Sequence, residues 1–374
     1  MSANRNLHKA KSNKKDEFYT QLVDIENELR HYTDHFRGKV VYCNCDDPRV
    51  SNFFHYFAYN FRVLGLKKLI TTCYQNQQME MFSQHDAEKA IWLEYDGTEN
   101  ETGVPSVEDI GIHYLEDDGD FRSAECIELL KQADIVVSNP PFSLFREYVV
   151  QLIEYEKKFL IIGGKNAITY KDIFPHIKAN RMWIGYRPMA GGMLFDVPLD
   201  FAKELVETKK EGSAYKIVDG VVKGWSANTW YTNLDHKKRD EDLILYKRYS
   251  PEEYPTYDNY DAIEVSKTAE IPLDWEGAMG VPITFLDKHN PDQFEIVGAT
   301  QRGCHDEIPD TRKYDDYWEV RQDGTRTGSS GRKTNENANL FGNDGRKNYF
   351  INSEGRIIQS AYQRIFIRRR RGAL

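Results

Sequence analysis

Apolar residues along this chain first recur with a helical period. Leu22, Ile25, Leu29, Tyr32 and Phe36 fall on one face, and Gly38 ends the run. The pattern then changes to short apolar blocks. Residues 39–44 and 67–73 read as buried strands, and 51–60 as a helix rich in Phe and Tyr between them. Two further blocks, 91–95 and 112–115, predict a hairpin turning around Gly103-Val104-Pro105. Ser123 suits an N-cap and Glu125 the first turn of a helix reaching about Gln132. A strand at 134–138, a helix to about Glu156 and a strand at 158–164 follow. Strand–turn–helix units at this rhythm predict a doubly wound, mostly parallel α/β sheet.

After residue 165 the rhythm breaks. A short helix is predicted at 169–179 and strands at 181–186, 193–197 and 229–232. The last two are expected to pair antiparallel at the sheet edge, with 198–228 as a long insert. A Pro- and Tyr-rich stretch at 250–275 is the best boundary in the chain. The predicted organisation is a flexible basic arm at 1–15, a main domain at 16–265 and an α+β region at 266–374. That last region carries strands at 282–286, 294–298 and 362–368, and a Gly/Ser/Asn/Lys-rich segment at 323–347.

Composition narrows this picture. At 374 residues the chain is long enough for two domains at about 150 residues each. No apolar run approaches a membrane span and the N-terminus is polar and basic, so a cytoplasmic protein is expected, with no membrane partner. The five cysteines show no paired spacing, which argues against a zinc site or a disulfide framework. The net charge of −9 is not that of a basic protein, but the charge is unevenly spread. Residues 1–15 carry Arg5, Lys9, Lys11, Lys14 and Lys15 with no acid, and six arginines but no acid follow from Gly355 onward. An acidic body with basic ends fits a protein that meets a polyanion on one face.

The chemistry concentrates in Asn139-Pro140-Pro141-Phe142, which follows the strand at 134–138. In an open α/β sheet, ligands bind outside the carboxyl ends of strands. Two prolines remove two amide donors and leave carbonyl oxygens to face a ligand. Asn139 adds a side-chain acceptor and Phe142 a flat ring, so the stretch can grip a planar amine by its hydrogens and its face. The bland alternative is a proline turn over a core Phe. Two acidic turns, Asp46-Asp47-Pro48 and Gly119-Asp120-Phe121, are expected at neighbouring strand ends. They suit a cationic ligand bearing hydroxyls and an amine, and S-adenosylmethionine is one; Phe121 could stack on its adenine.

Together these stretches resemble the adenine-specific DNA methyltransferase family typified by the EcoRI modification enzyme. The resemblance is carried by residues 15–21, 45–53, 119–123 and 139–143, with echoes at 163–170, 229–234 and 364–368. It departs from methyltransferases at large in lacking a glycine-rich turn after the first strand. The second strand also ends without a carboxylate for the ribose, which Asp96 or Asp46 could supply. The resemblance implies a methyltransferase (Rossmann-like) sheet with an antiparallel edge and a C-terminal α+β target-recognition region. It implies S-adenosylmethionine as cofactor, closed over by Phe18, Tyr19 and Thr20 and held by Asp46, Asp47, Pro48, Asp120 and Phe121. Asn139 and the Pro140 carbonyl would accept the amino hydrogens of an adenine flipped from duplex DNA, with Phe142 stacked on it. Target recognition would fall to Arg312, Lys313, Arg321, Arg326, Arg332 and Lys333, and to Arg368, Arg369 and Arg370. A monomer is expected, with a separate cognate restriction endonuclease as candidate partner. The rivals are amino methylation of cytosine, of RNA guanine or of protein glutamine, and an inactive methylase-fold DNA-binding protein.

Overall fold

The computed structural model describes residues 19–45, 47–49, 51–74, 89–98, 106–197, 199–300, 311–329, 335, 337–342, 347–360 and 363–370. The chain divides into two compact units, one of residues 1–165 and 183–236, the other of 166–182 and 237–374. The region expected to recognise a target, 266–374, lies wholly within the second.

In the first unit, β1 (Tyr19–Thr20) leads into α1 (Leu22–Leu29). The helical stripe continues past α1 as a separate 3-10 turn, Thr33–Phe36, with Tyr32 and Phe36 both buried. There follow β2 (Val40–Cys43), α2 (Asn52–Tyr59), α3 (Phe61–Leu64), β3 (Lys68–Cys73), β4 (Ile91–Tyr95), α4 (Val107–Ile110) and β5 (His113–Tyr114). Then come α5 (Ala124–Gln132), β6 (Ile135–Ser138), α6 (Phe145–Glu154) and β7 (Lys158–Gly164). After α7 (Phe174–Lys178), which belongs to the second unit, the chain returns as β8 (Trp183–Ile184), β9 (Met193–Asp196), α8 (Leu199–Thr208), β10 (Tyr215–Val218), β11 (Val221–Ser226) and β12 (Asn228–Thr232).

Eight of these strands form one sheet in the order β5-β4-β3-β2-β6-β7-β12-β8. Its centre is parallel: β2 pairs with β3 and β6, and β6 with β7. Both flanks are antiparallel, with β4 against β3 and β5 on one side and β12 against β7 and β8 on the other; the turn predicted at Gly103-Val104-Pro105 lies outside the described residues, and α4 stands between β4 and β5. Strands β2, β6 and β12 are buried at every residue, as expected of strands covered on both faces.

The expected pairing of 193–197 with 229–232 does not occur. β9 pairs instead with β1 and β11, in a second sheet of order β1-β9-β11-β10, while β12 is claimed by β7 and β8. The supposed insert 198–228 is α8 followed by the β10–β11 hairpin. Asp219 (φ 51°) and Gly220 (φ 76°) form its turn. Two consecutive positive φ values are the signature of a two-residue hairpin turn, which Asp-Gly favours.

The second unit holds β13 (Ala262–Glu264), β14 (Ala278–Pro282), β15 (Phe294–Ala299), β16 (Tyr317–Arg321), β17 (Asn339–Phe341), β18 (Asn348–Asn352), β19 (Ile357–Ser360) and β20 (Arg364–Arg369). They make two four-stranded sheets, β13-β14-β20-β15 and β16-β18-β19-β17. The strand expected at 282–286 lies earlier, at β14, and Ile283–Lys288 is a 3-10 turn with Phe285 and Leu286 buried. Among the described residues no helix is long and apolar enough to cross a membrane.

Candidate functional site

The parallel strands β2 and β6 are neighbours, so the turns after them stand side by side at the carboxyl edge of the sheet. After β2 the chain needs a sharp reversal, and it makes one without glycine: Cys45 adopts φ 78°. That left-handed conformation costs a non-glycine residue about 1–2 kcal/mol. Asp47 follows, nearly buried, and binds Arg49 through both oxygens, with Nε at 3.0 and 3.1 Å and Nη2 at 2.6 Å. The Arg49 amide also donates to Asp47 Oδ1 at 2.9 Å.

The Gly119 turn repeats this arrangement. Arg122 donates from its amide and Nε to Asp120 Oδ1, each at 2.8 Å, and from Nη2 to Oδ2 at 2.6 Å. Burial pushes the Asp120 carboxyl up, but the Arg122 bonds outweigh it and hold the group below its usual range. A Cβ on Gly119 (φ 76°) would run into the Cys73 carbonyl, so only glycine lets this turn sit directly on the end of β3. Ser123 caps α5 as predicted, accepting from the Cys126 amide at 3.2 Å, with Glu125 in the first turn. Each acidic turn is thus an Asp-x-Arg clamp. The carboxylates predicted to meet a ligand already hold a guanidinium, which sequence reading missed.

Asn139 and Pro140 are buried at the end of β6, and Phe142 is half-buried against the core of the first unit. Of the two proline carbonyls, that of Pro141 accepts from the Leu144 amide at 2.9 Å and closes the 3-10 turn leading into α6. It therefore does not face a ligand as expected. Among the described residues no backbone amide donates to the Pro140 carbonyl. Three contacts fix this wall. Ser138 Oγ donates to the Asn44 carbonyl, Tyr148 OH donates to Asn44 Oδ1, and Arg122 Nη1 reaches Glu147 Oε2 at 2.6 Å. Asn44, Ser138, Tyr148 and Arg122 were not singled out from sequence.

Phe121 is buried, with the Tyr148 ring edge-on at 5.0 Å and the Arg122 guanidinium 5.2 Å from its centroid. Thr20 lies over the start of α2, where Asn52 Nδ2 donates to its carbonyl at 2.8 Å. Thr20 is 2% exposed, and among the described residues its hydroxyl has no hydrogen-bond partner. Asp96 is taken up by a local turn, accepting from the amide and hydroxyl of Thr98 at 3.0 and 2.6 Å. Phe18, Asp46, Arg332 and Lys333, and the side chain of Tyr19, lie outside what is described.

In the second unit Arg368 and Arg369 end β20, and Arg370 follows directly. Arg368 pairs with Glu295 at 3.3 Å, Arg369 donates to the Leu273 carbonyl, and Arg370 Nε donates to the Pro291 carbonyl at 2.6 Å. Arg312 is exposed but donates to the Asp258 carbonyl at 3.0 Å, and Lys313 to Thr311 Oγ1 at 3.1 Å. Arg321 ends β16, exposed. Arg326 lies with its guanidinium carbon 4.0 Å from the Trp318 ring centroid. That stack orients a planar cation and leaves its edges to donate.

The model of a family described as the adenine-specific methyltransferase EcoRI matches residues 6–370. The Type II methyltransferase M.EcoRI of Escherichia coli is 52% identical over 301 residues, which cover 79% of this chain and 89% of the relative. The Type II methyltransferase M.MpnI of Mycoplasma pneumoniae is 40% identical over 297 residues, 78% of this chain and 84% of the relative. M.MgeORF184P of Mycoplasma genitalium, also a Type II methyltransferase, is 38% identical over 297 residues, 78% and 85% respectively. No solved structure matches the chain.

Proposed function

The chain belongs to the family of the adenine-specific methyltransferase EcoRI, and from that premise we propose which of its residues hold the methyl donor, the target base and the DNA. The protein is a DNA adenine methyltransferase using a methyl donor of the S-adenosylmethionine type. S-adenosylmethionine, when bound, supplies an electrophilic methyl group on a sulfonium.

The residues fit such a donor. Among the described residues the buried Thr20 hydroxyl has no partner, and an unmet polar group in that position is costly unless a ligand completes it. Tyr19, Thr20, Asp47 and Pro48 would hold the amino-acid part of the donor. Asp120 and Phe121 hold the nucleoside part. Phe18 and Asp46 belong to the same set by sequence. The Asp-x-Arg clamps orient the two carboxylates, and Asp120 Oδ2, which takes one Arg122 bond, retains a lone pair to accept with.

The observation that carries the reading is the position of Asn139-Pro140-Pro141-Phe142. It stands at the end of β6, next to the Asp47 turn of β2, on an edge where two ligands can meet. Asn139 Oδ1 and the Pro140 carbonyl accept the two hydrogens of the adenine amino group. This concentrates the nitrogen lone pair and aims it at the methyl. Phe142, half-buried, offers its ring to the face of a base taken out of the duplex. No side-chain base is needed, because the proton can leave after the carbon–nitrogen bond has formed. The chain contributes mainly orientation and exclusion of water.

The second unit reads the duplex through Arg321, Arg326 and Arg312, with Lys313, Arg332, Lys333 and the 368–370 arginines supporting phosphate contacts. The enzyme marks a fixed sequence, as the Type II names of its relatives suggest, and shields that DNA from a separate cognate endonuclease in the cytoplasm. A monomer suffices, since one chain supplies both ligand sites. The test is modification-sensitive sequencing of DNA from cells expressing the protein. N6-methyladenine at one recurrent sequence supports the reading, and methylation of cytosine, or none, rejects it.

A further inference from the structure

Asn228 opens β12, at the carboxyl edge of the large sheet. It pairs across with Gly164, the last residue of β7. Its side chain is 3% exposed. Ser226 Oγ donates to its Oδ1 at 3.0 Å, which turns Nδ2 the other way. Among the described residues that Nδ2 has no hydrogen-bond partner. An amide donor buried without a partner is destabilising, and native proteins rarely keep one unless something else completes it.

The sheet order says which ligand is near. The acidic turns lie at the ends of β2 and β3, on one side of β6. Asn228 belongs to β7 and β12, on the other. Ser138 of β6 is level with Ile161, and Gly164 lies three residues further along β7. The end of β7 therefore runs level with the Asn139–Phe142 stretch. Asn228, one strand beyond, is roughly 10 Å across the sheet from that stretch, about two strand spacings. That gap suits a purine whose amino group is held at one end and whose ring nitrogen is met at the other.

We infer that Asn228 is a binding residue for the extruded base, donating from Nδ2 to a ring nitrogen of the adenine. This rests on the adenine methyl-transfer reading above. The amino group is gripped by acceptors only, which any exocyclic amine satisfies. A donor at fixed distance adds the requirement for a lone pair on the ring. It also fixes the base against rotation in its own plane, so the amino nitrogen stays in line with the methyl.

The test uses the full chain and a duplex in which the methylated adenine has been located. Asn228→Ala is expected to lower kcat about tenfold or more, the loss of one buried hydrogen bond. Affinity for S-adenosylmethionine stays within about twofold. The melting temperature of the free protein falls little, because removal of the unmet donor offsets the loss of the Ser226 bond. Asn228→Asp, which puts a carboxylate oxygen where the donor was, loses more activity than the alanine variant. Single-turnover rates are then compared on duplexes carrying 1-deaza-, 3-deaza- or 7-deazaadenine at the target. One of the three slows the wild type, and that cost disappears in Asn228→Ala. If the alanine variant responds to all three as the wild type does, Asn228 does not touch the base. A lowered melting temperature with normal kcat assigns Asn228 to packing and also overturns the inference. A wild type that transfers no methyl to adenine sinks the parent reading instead, and Asn228's role with it.

Discussion

Tyr148 donates its hydroxyl to the side-chain oxygen of Asn44, joining the helix after Asn139-Pro140-Pro141-Phe142 to the end of the first parallel strand. Both residues are buried, and burial holds the Tyr148 phenol far above its ordinary pKa, so it stays a neutral donor. Ser138 fastens to the carbonyl of the same asparagine. Asn44 is therefore the pin that sets the β6 turn against the β2 turn.

Tyr148→Phe removes that donor and leaves Asn44 Oδ1 buried without it. Stability in urea is expected to fall by about 1–3 kcal/mol. Single-turnover methylation should slow as well, since the two walls of the site are no longer pinned. Unchanged urea stability would show that the contact carries no weight.

Cys45 takes a left-handed backbone, φ 78°, where a methyltransferase sheet more often has glycine. Cys45→Gly relieves the Cβ clash but adds freedom to the unfolded chain, so the two effects partly cancel. The expected melting temperature is equal to or slightly above that of the wild type. Cys45→Val adds a branched carbon at the same backbone angle and should lower stability by more than 1 kcal/mol, on the order of the usual left-handed penalty. A valine variant as stable as the wild type would mean that the turn relaxes freely.

Much of the sheet was legible because its central strands are continuous apolar runs with β-branched residues. Val40-Val41-Tyr42-Cys43 and Phe159-Leu160-Ile161-Ile162 are such runs, and neither periodicity nor turn chemistry competes with them. The β10–β11 hairpin was not read, although Asp219-Gly220 is a strong two-residue turn signal. Its strands, Tyr215–Val218 and Val221–Ser226, are short apolar runs broken by Lys216, Lys223 and Gly224 and mostly half-buried or exposed, and they fall in the stretch expected to be an insert. The place of Asn139-Pro140-Pro141-Phe142 at the end of a buried strand was readable from the apolar run before it. Its supports Asn44 and Tyr148 were not, because they act through contacts across the fold, which no local spacing encodes. Arg49 and Arg122 could have been suspected from the shared Asp-x-Arg pattern.

His289 is buried against Phe285 and donates through Nε2 to the Phe294 carbonyl at 3.0 Å. Burial is the main cause that pushes its pKa from 6.5 down to about 4. Between those values the folded protein binds fewer protons than the unfolded chain. The contribution is complete above pH 6.5 and is lost as pH falls through about 4, roughly 3 kcal/mol in all. His289→Gln keeps an amide donor and cannot titrate there, so its unfolding free energy should vary less from pH 7 to pH 4. Identical pH profiles would show that His289 is not the group responsible.

Arg326, stacked on Trp318, is one of the second-unit arginines proposed above to meet DNA. Arg326→Ala is expected to weaken binding of the duplex. If it meets a phosphate, the salt dependence flattens by about one unit of slope; if it meets a base, discrimination between sites falls instead. Trp318→Ala should reproduce part of the loss, because the guanidinium is no longer oriented. Binding curves of both variants that overlay the wild type would remove this pair from the interface.

The central claim is that Asn139 directs methyl transfer to the adenine amino group. Its most direct measurement is the transfer of labelled methyl from S-adenosylmethionine to duplex DNA, followed by digestion to nucleosides, for the wild type and Asn139→Ala. The wild type should place the label in N6-methyladenine. The variant should transfer at least about a hundredfold more slowly while still binding both S-adenosylmethionine and DNA. Near-normal turnover by Asn139→Ala, or label recovered in another nucleoside, would contradict the account.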